Sequence, residues 1–323
     1  MAHLMNIAII QHSPVFLNLE ASLEKALQLI DEAAAKGATL IVFPETWLPG
    51  YPVWLDYAPE AALWDHPGAK ALYRLLWTNS LQIPGKEYEL LRAKAVKHNV
   101  FIVMGIHERI GGSLYNGMLY LSPEESSCGV HRKLMPTYSE RLIWGRGDGS
   151  TLHTVNTPFG ILSGLICWEH WMPLARAAMH AKGETIHIAQ WPMVKELHQI
   201  ASAHYAFEGQ CFVLAAGCML SQEQVLQGFH SLAEDEPEAL ALLESMPQGA
   251  LLTGGSAVYT PNSTPLVGPI QNTETTIHAQ LNSNAIEEGR LFMDTSGHYS
   301  RPDVFRLEVN TNPKVGVVFK ENE

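Results

Sequence analysis

The stretch GLICWEHWMP, residues 164–173, decides how this chain folds. The apolar run 161–166 reads as a buried strand and stops at Cys167. Trp168, Glu169 and His170 follow at once, and residues 171–182 have the composition of a helix. A strand that passes directly into a helix is a corner of an α/β fold. Free cysteine is among the most buried residue types, so Cys167 is either packing or a nucleophile set at that corner. What stands at the other strand ends separates the two readings.

Working outward, residues 6–11 form a short apolar strand, 19–36 a helix and 39–43 (TLIVF) a buried strand. Leu19, Leu23, Leu27, Ile30 and Ala34 mark one helix face, and Gly37 caps it. This is a βαβ unit. Residues 44–70 are aromatic, proline-rich and irregular, and a loop of that length is usually functional. Helices are expected over 69–81 and 86–98, and strands over 100–108, 115–121 and 128–133, the first two joined at Gly111-Gly112. Beyond the corner come a strand at 186–191, a helix at 195–209, a strand at 211–218, a helix at 236–245 and late strands near 256–260 and 276–281. No Gly/Ser or charge-run linker divides the alternation, so residues 1–323 read as one α/β domain.

Composition narrows the function. The 323 residues are 46% hydrophobic and 17% charged, which is ordinary for a globular enzyme. A net charge of −12 argues against nucleic acid or anionic membrane as a partner. No apolar run approaches the ~20 residues of a membrane span, and the start, MAHLMNIAII, reads as the first strand, not as a signal peptide. Cys128, Cys167, Cys211 and Cys218 form no CxxC pair, so a cytoplasmic location is expected. Cys128, Cys211 and Cys218 read as small packed hydrophobes. The 15 histidines make no HExxH or Cys/His cluster with ligand spacing, so no metal and no cofactor are expected.

In α/β folds, ligands sit beyond the carboxyl ends of the strands. Three such ends carry chemistry: Glu45 after TLIVF, Lys133 after CGVHR, and Cys167 after GILSGLI. A lone loop acid or lysine is ordinarily just solvated. Together they place an acid, a base and a thiol at equivalent ends, and only the fold can bring them together.

FPETWLPGYPVW, HRKLMPTYSERLIWGRGDG, GLICWEHWMPLAR and HYSRPDVF resemble the motifs of the nitrilase, or carbon–nitrogen hydrolase, superfamily, over a core of about residues 6–305 followed by a short C-terminal tail. The Trp after the cysteine and the GRGDG loop resemble its nitrilase branch. The resemblance implies an α-β-β-α sandwich that dimerises through helices to an eight-layer body. Carried over residue by residue, it implies Cys167 as nucleophile, Glu45 as general base, Lys133 as the cationic member and Glu140 as the second glutamate. His170 stands where many relatives carry Asn, and the short end after GVVFKENE speaks against the spirals that nitrilases often build.

The expected reaction converts an uncharged organic nitrile to a carboxylic acid and ammonia through a thioimidate and an acyl-thioester on Cys167. Lys133 and the following helix N-terminus are expected to favour the thiolate. Tyr51, Trp54, Trp168 and Trp191 are expected to line an aromatic pocket, with His131 and Glu169 beside them, whereas Trp77 and Trp144 read as core. The alternatives within the superfamily are an aliphatic amidase, a carbamoyl hydrolase or a cyanide-degrading enzyme. From another class, a papain-type Cys–His pair would use His131 or His170. A homodimer or higher homo-oligomer is expected.

Overall fold

The strand-to-helix alternation folds into two sheets. The computed structural model describes residues 3–124, 129–314 and 317; Cys128 lies outside them. In chain order the elements are β1 (Leu4–Gln11), α1 (Leu19–Ala35), β2 (Leu40–Val42), α2 (Trp54–Tyr57), α3 (Pro67–Thr78), α4 (Lys86–His98), β3 (Phe101–Ile110), β4 (Ser113–Leu121) and β5 (Gly129–Arg132). They continue as β6 (Val155–Thr157), β7 (Gly160–Ile166), α5 (Pro173–His180), β8 (Ile186–Gln190), α6 (Glu196–Gly209), β9 (Phe212–Ala216), β10 (Met219–Ser221) and α7 (Gln222–His230). The last are α8 (Pro237–Glu244), β11 (Ala250–Tyr259), β12 (Pro265–Gln271), β13 (Thr275–Asn282) and α9 (Asn284–Gly289).

One sheet has the order β13-β1-β2-β3-β4-β5, the other β10-β11-β9-β8-β7-β6, with β12 on β11. β1-β2-β3 and β7-β8-β9 are parallel, as βαβ connections require. Side-chain alternation splits the strands of the first sheet between two cores. Ala8 and Ile10 of β1 face the first core with the buried stripe Leu23, Ala26, Ile30 and Ala33 of α1. Ile7 and Ile9 face the second, with Ile186, Ile188, Phe212 and Leu214 of the other sheet. Met179 of α5 and Tyr205 of α6 belong to that second cluster, on the second sheet. The result is an α-β-β-α sandwich. Asn18 starts α1 by accepting the Ala21 N–H at 3.0 Å, and Gly37 follows its end at φ 86°.

The two sheets are tied together at the ends that matter. Gln190 at the end of β8 donates to the Phe43 carbonyl beyond β2 at 2.7 Å, and the Glu45 N–H donates to the Trp191 carbonyl at 3.4 Å. Gly105 of β3 lets the Pro44–Thr46 backbone lie against the strand: a Cβ there would stand 1.9 Å from the Pro44 oxygen.

Candidate active site

Glu45, Lys133, Glu140 and Cys167 come together from three distant chain segments, Lys133 and Glu140 sharing one. Lys133 lies just past β5, its N–H prolonging the ladder to the Asn116 carbonyl at 2.8 Å. Its fully buried ammonium donates to Glu45 Oε1 at 2.8 Å and to Glu140 Oε2 and Oε1 at 2.7 and 3.0 Å. Glu140 sits in the single turn Tyr138–Leu142, where its Oε2 also accepts the Thr137 N–H at 2.6 Å and its Oε1 the Tyr51 hydroxyl at 3.1 Å. The Cys167 sulfur and one oxygen from each of Glu45 and Glu140 lie within 4.8 Å of one another. Such a trio could hold a cation, but Lys133 already supplies the positive charge with bonds to both carboxylates.

Cys167 occupies a sharp corner. Its φ of 54° is left-handed, and the single turn Cys167–Trp171 carries the chain from β7 to α5. Burial, with Glu45 close by, pushes the Cys167 thiol well up, outweighing Lys133 and the Trp168 N–H bond to the sulfur. The expected help toward the thiolate is therefore outweighed: Lys133 does lower the thiol, but α5 starts only at Pro173 and burial dominates, so the sulfur needs a base, as the general-base reading of Glu45 requires. Burial pushes Glu45 up to about 7, with the Lys133 charge pulling it down and Glu140 pushing it up. Its Oε1 is held by Lys133 and by Asn116 Nδ2 at 2.6 Å; its buried Oε2 has no partner among the described residues. That free oxygen, near half-protonated at neutral pH, suits proton transfer. Lys133 is pulled down by burial but carried well above the usual lysine range by Cys167, Glu45 and Glu140, so it stays charged.

Glu169 is an anchor. Fully buried, it accepts the N–H of Ile166 at 2.6 Å, the N–H of Leu134 at 2.7 Å and His131 Nε2 at 3.0 Å. It thus clamps the nucleophile corner to the segment after Lys133. His131 Nδ1 donates to the Thr151 carbonyl at 3.0 Å. Burial pulls His131 down, but Glu169 outweighs this and raises it. His131 and Glu169 are thus structural supports, not pocket walls. His170 Nδ1 faces the Cys167 carbonyl at 2.7 Å and its Nε2 faces His187. Both nitrogens of His131 and of His170 are engaged away from the sulfur, so neither candidate serves as the base of a papain-type Cys–His pair.

A cleft of about 430 Å³ opens beside the cluster, lined by Tyr51, Glu140, Cys167 and Trp168, with Tyr138, Met193, Leu197 and Leu252 as further apolar walls and Asp56, Lys195 and His198 as polar ones. Two expected pocket residues are displaced. Trp54 packs edge-on against Phe16 at 5.9 Å and lines a separate groove with Trp64 and Tyr73. Trp191 is fully buried, stacked between His170 and His198 at 4.8 and 4.3 Å. Trp144 is core as expected, yet Lys133 Nζ lies 5.9 Å from its ring centre and Tyr51 meets it edge-on. Sequence reasoning missed Asn116; its signal was one amide inside the otherwise apolar strand SLYNGMLYL.

This is an α-β-β-α sandwich carrying a thiol, an ammonium and two carboxylates in one buried cluster. The chain belongs to the carbon–nitrogen hydrolase family, whose model matches residues 6–291. It is 38% identical over 313 residues to an aliphatic nitrilase of Sinorhizobium fredii, covering 96% of this chain and 97% of that one. It is 39% identical over 317 residues to nitrilase 2 of Arabidopsis thaliana, covering 96% and 90%. The fold matches the crystal structure of the CN-hydrolase superfamily protein XC1258 from Xanthomonas campestris, with a TM-score of 0.67 at 16% identity over 91% of this chain and 96% of that one.

Proposed function

We propose that this protein is a nitrilase, hydrolysing an uncharged organic nitrile to its carboxylic acid and ammonia. The observation that carries the reading is Lys133 bonded to both Glu45 and Glu140, with the Cys167 sulfur beside the two carboxylates at the edge of the cleft. Near-full-length similarity to proteins named nitrilases supports it.

Glu45 Oε2 takes the thiol proton as sulfur adds to the nitrile carbon. Nitrogen gains negative charge, which Lys133 stabilises while Glu45 passes the thiol proton on to it, giving the thioimidate and restoring the base. Glu45 then deprotonates a water, which adds to the same carbon. Glu45 returns that proton to nitrogen, the adduct's hydroxyl proton then passes to the same nitrogen as the C–N bond breaks, ammonia leaves, and the acyl-thioester remains. A second water, again activated by Glu45, releases the acid and restores the thiol. Two waters and the residues present balance every step. Glu140 and Asn116 act by holding Lys133 and Glu45 in place. Tyr51 and Trp168 are the proposed substrate contacts.

Incubation with matched nitriles and amides tests the assignment: ammonia release from nitriles is expected. Rapid amide turnover with inert nitriles would assign an amidase or carbamoyl hydrolase, and formate or formamide from cyanide a cyanide-degrading enzyme.

We further propose a cytoplasmic homodimer or higher homo-oligomer. Leu174 of α5 and Ile200 and Phe207 of α6 are exposed at 68%, 54% and 41%, an apolar face that a second copy would cover. Among the described residues no helix is long and apolar enough to cross a membrane.

A further inference from the structure

Behind the nucleophile a buried polar chain runs from Cys167 to helices α5 and α6. His170 Nδ1 lies 2.7 Å from the Cys167 carbonyl oxygen, His170 Nε2 lies 3.0 Å from His187 Nε2, and His187 Nδ1 lies 2.8 Å from Glu184 Oε2. Both rings are essentially without solvent exposure. Glu184 accepts on both oxygens: Ser163 and His187 at Oε2, and His180 at 2.9 Å and Tyr205 at 2.5 Å at Oε1.

The protons in this chain can be counted. The Cys167 carbonyl has none to give, so His170 Nδ1 must carry one. Glu184, accepting on both oxygens, is ionised, its burial outweighed by His187 and His180, so His187 Nδ1 must carry one too. With one proton per ring, the two Nε2 lone pairs would then face each other at 3.0 Å with nothing between them. That contact closes only with a third proton.

We infer that His170 and His187 share one proton beyond the two that neutral rings hold, so that a buried cation stands directly behind the Cys167 backbone and supports the sulfur when it becomes anionic. This rests on the reading of Cys167 as nucleophile. It makes His170 and His187 positioning residues, since neither faces the substrate cleft.

The surrounding charges fit. His180 lies between Glu184 and Glu208, and Arg176 donates to Glu208 at 2.7 Å. Burial lowers His180, but the two carboxylates outweigh this and raise it to about 8. Two cations thus balance two carboxylates, and the extra proton leaves one positive charge to match a Cys167 thiolate. Burial by itself pulls both rings toward neutrality, with His187 adding to the effect on His170. The Glu184 carboxylate and the Cys167 carbonyl at the two ends of the chain oppose that pull without overcoming it, His180 and His198 add to it, and both rings are held below the ordinary imidazole range, so it is the facing Nε2 pair itself that calls for the extra proton. His198, across the Trp191 ring, faces the cleft and makes no bond to the pair.

Two measurements on the whole protein test this without any nitrile. Nitrogen-15 NMR of the histidine rings at pH 7 is expected to show three protons on the four nitrogens of this pair, with one resonance shared across the contact. Alkylation of Cys167 by iodoacetamide, located by peptide mass spectrometry across pH, is expected to slow about tenfold at pH 7 in both His170→Asn and His187→Asn, with the midpoint about one unit higher. His170→Asn keeps a donor for the Cys167 carbonyl, so it isolates the charge from the backbone bond. Two protons in the wild-type pair, or an unmoved alkylation midpoint in folded His170→Asn, would overturn the inference. Failure of nitrile turnover alone would overturn only the assigned substrate.

Discussion

Two carboxylates touch one ammonium, and their surroundings give them different work. Glu140 is saturated by Lys133, Tyr51 and the Thr137 N–H. Glu45 keeps one oxygen free and sits at about 7 because burial outweighs Lys133. The base is competent only when unprotonated, so kcat/KM is expected to rise with pH through about 7. A profile flat from pH 5 to 8 would contradict that. Glu45→Gln is expected to cost roughly 10²–10⁴-fold in kcat with the fold intact by circular dichroism. Glu45, Lys133 and Cys167 were legible because each follows an apolar strand end with a chemical group, whereas Glu140, in the turn Tyr138–Leu142, came through the family resemblance. His131, Trp54 and Trp191 were misplaced because residue type and chain position do not reveal which way a side chain points. Glu169 was misplaced beside the pocket in the same way: that its bonds reach both the Lys133 and Cys167 segments depends on the packing of β5 against the corner.

At the scale of elements, the catalytic corners are held by contacts between segments distant in sequence. Glu169→Ala would orphan the buried N–H groups of Ile166 and Leu134 and leave His131 an unpaired cation. A loss of about 3–5 kcal/mol in denaturant unfolding is expected; a change below 1 kcal/mol would remove the clamp. Gly105→Ala drives a Cβ into the Pro44 and Thr46 backbone, so about 1–3 kcal/mol and most of the activity should go together. The long apolar elements β1, α1, β3 and β7 were legible from periodicity. β6, β10, β12 and α7 were not. β6 and β10 have only three residues each. β12 (PLVGPIQ) carries two prolines and a glycine that read as loop. In α7, QEQVLQGFH opens on polar residues and has few apolar positions to mark a stripe.

For the whole molecule, the two sheets matter because their carboxyl ends meet, at Gln190–Phe43 and Trp191–Glu45, and bring the base of one sheet to the nucleophile of the other. No pattern within a single segment encodes that meeting; the order of the motifs along the chain implied it through the family resemblance. The exposed face of α5 and α6 belongs to this scale as well. Ile200→Glu is expected to shift the protein from dimer or larger to monomer in sedimentation velocity without lowering its melting temperature; an unchanged sedimentation coefficient would place the interface elsewhere. The central claim is that three distant segments make one nucleophilic centre at Cys167. Its most direct test is rapid-quench mass spectrometry after a nitrile pulse. A covalent adduct confined to the Cys167 peptide, with the mass of the substrate acyl group and absent from Cys167→Ser, is predicted. Steady turnover by Cys167→Ser, or an adduct on another residue, would contradict it.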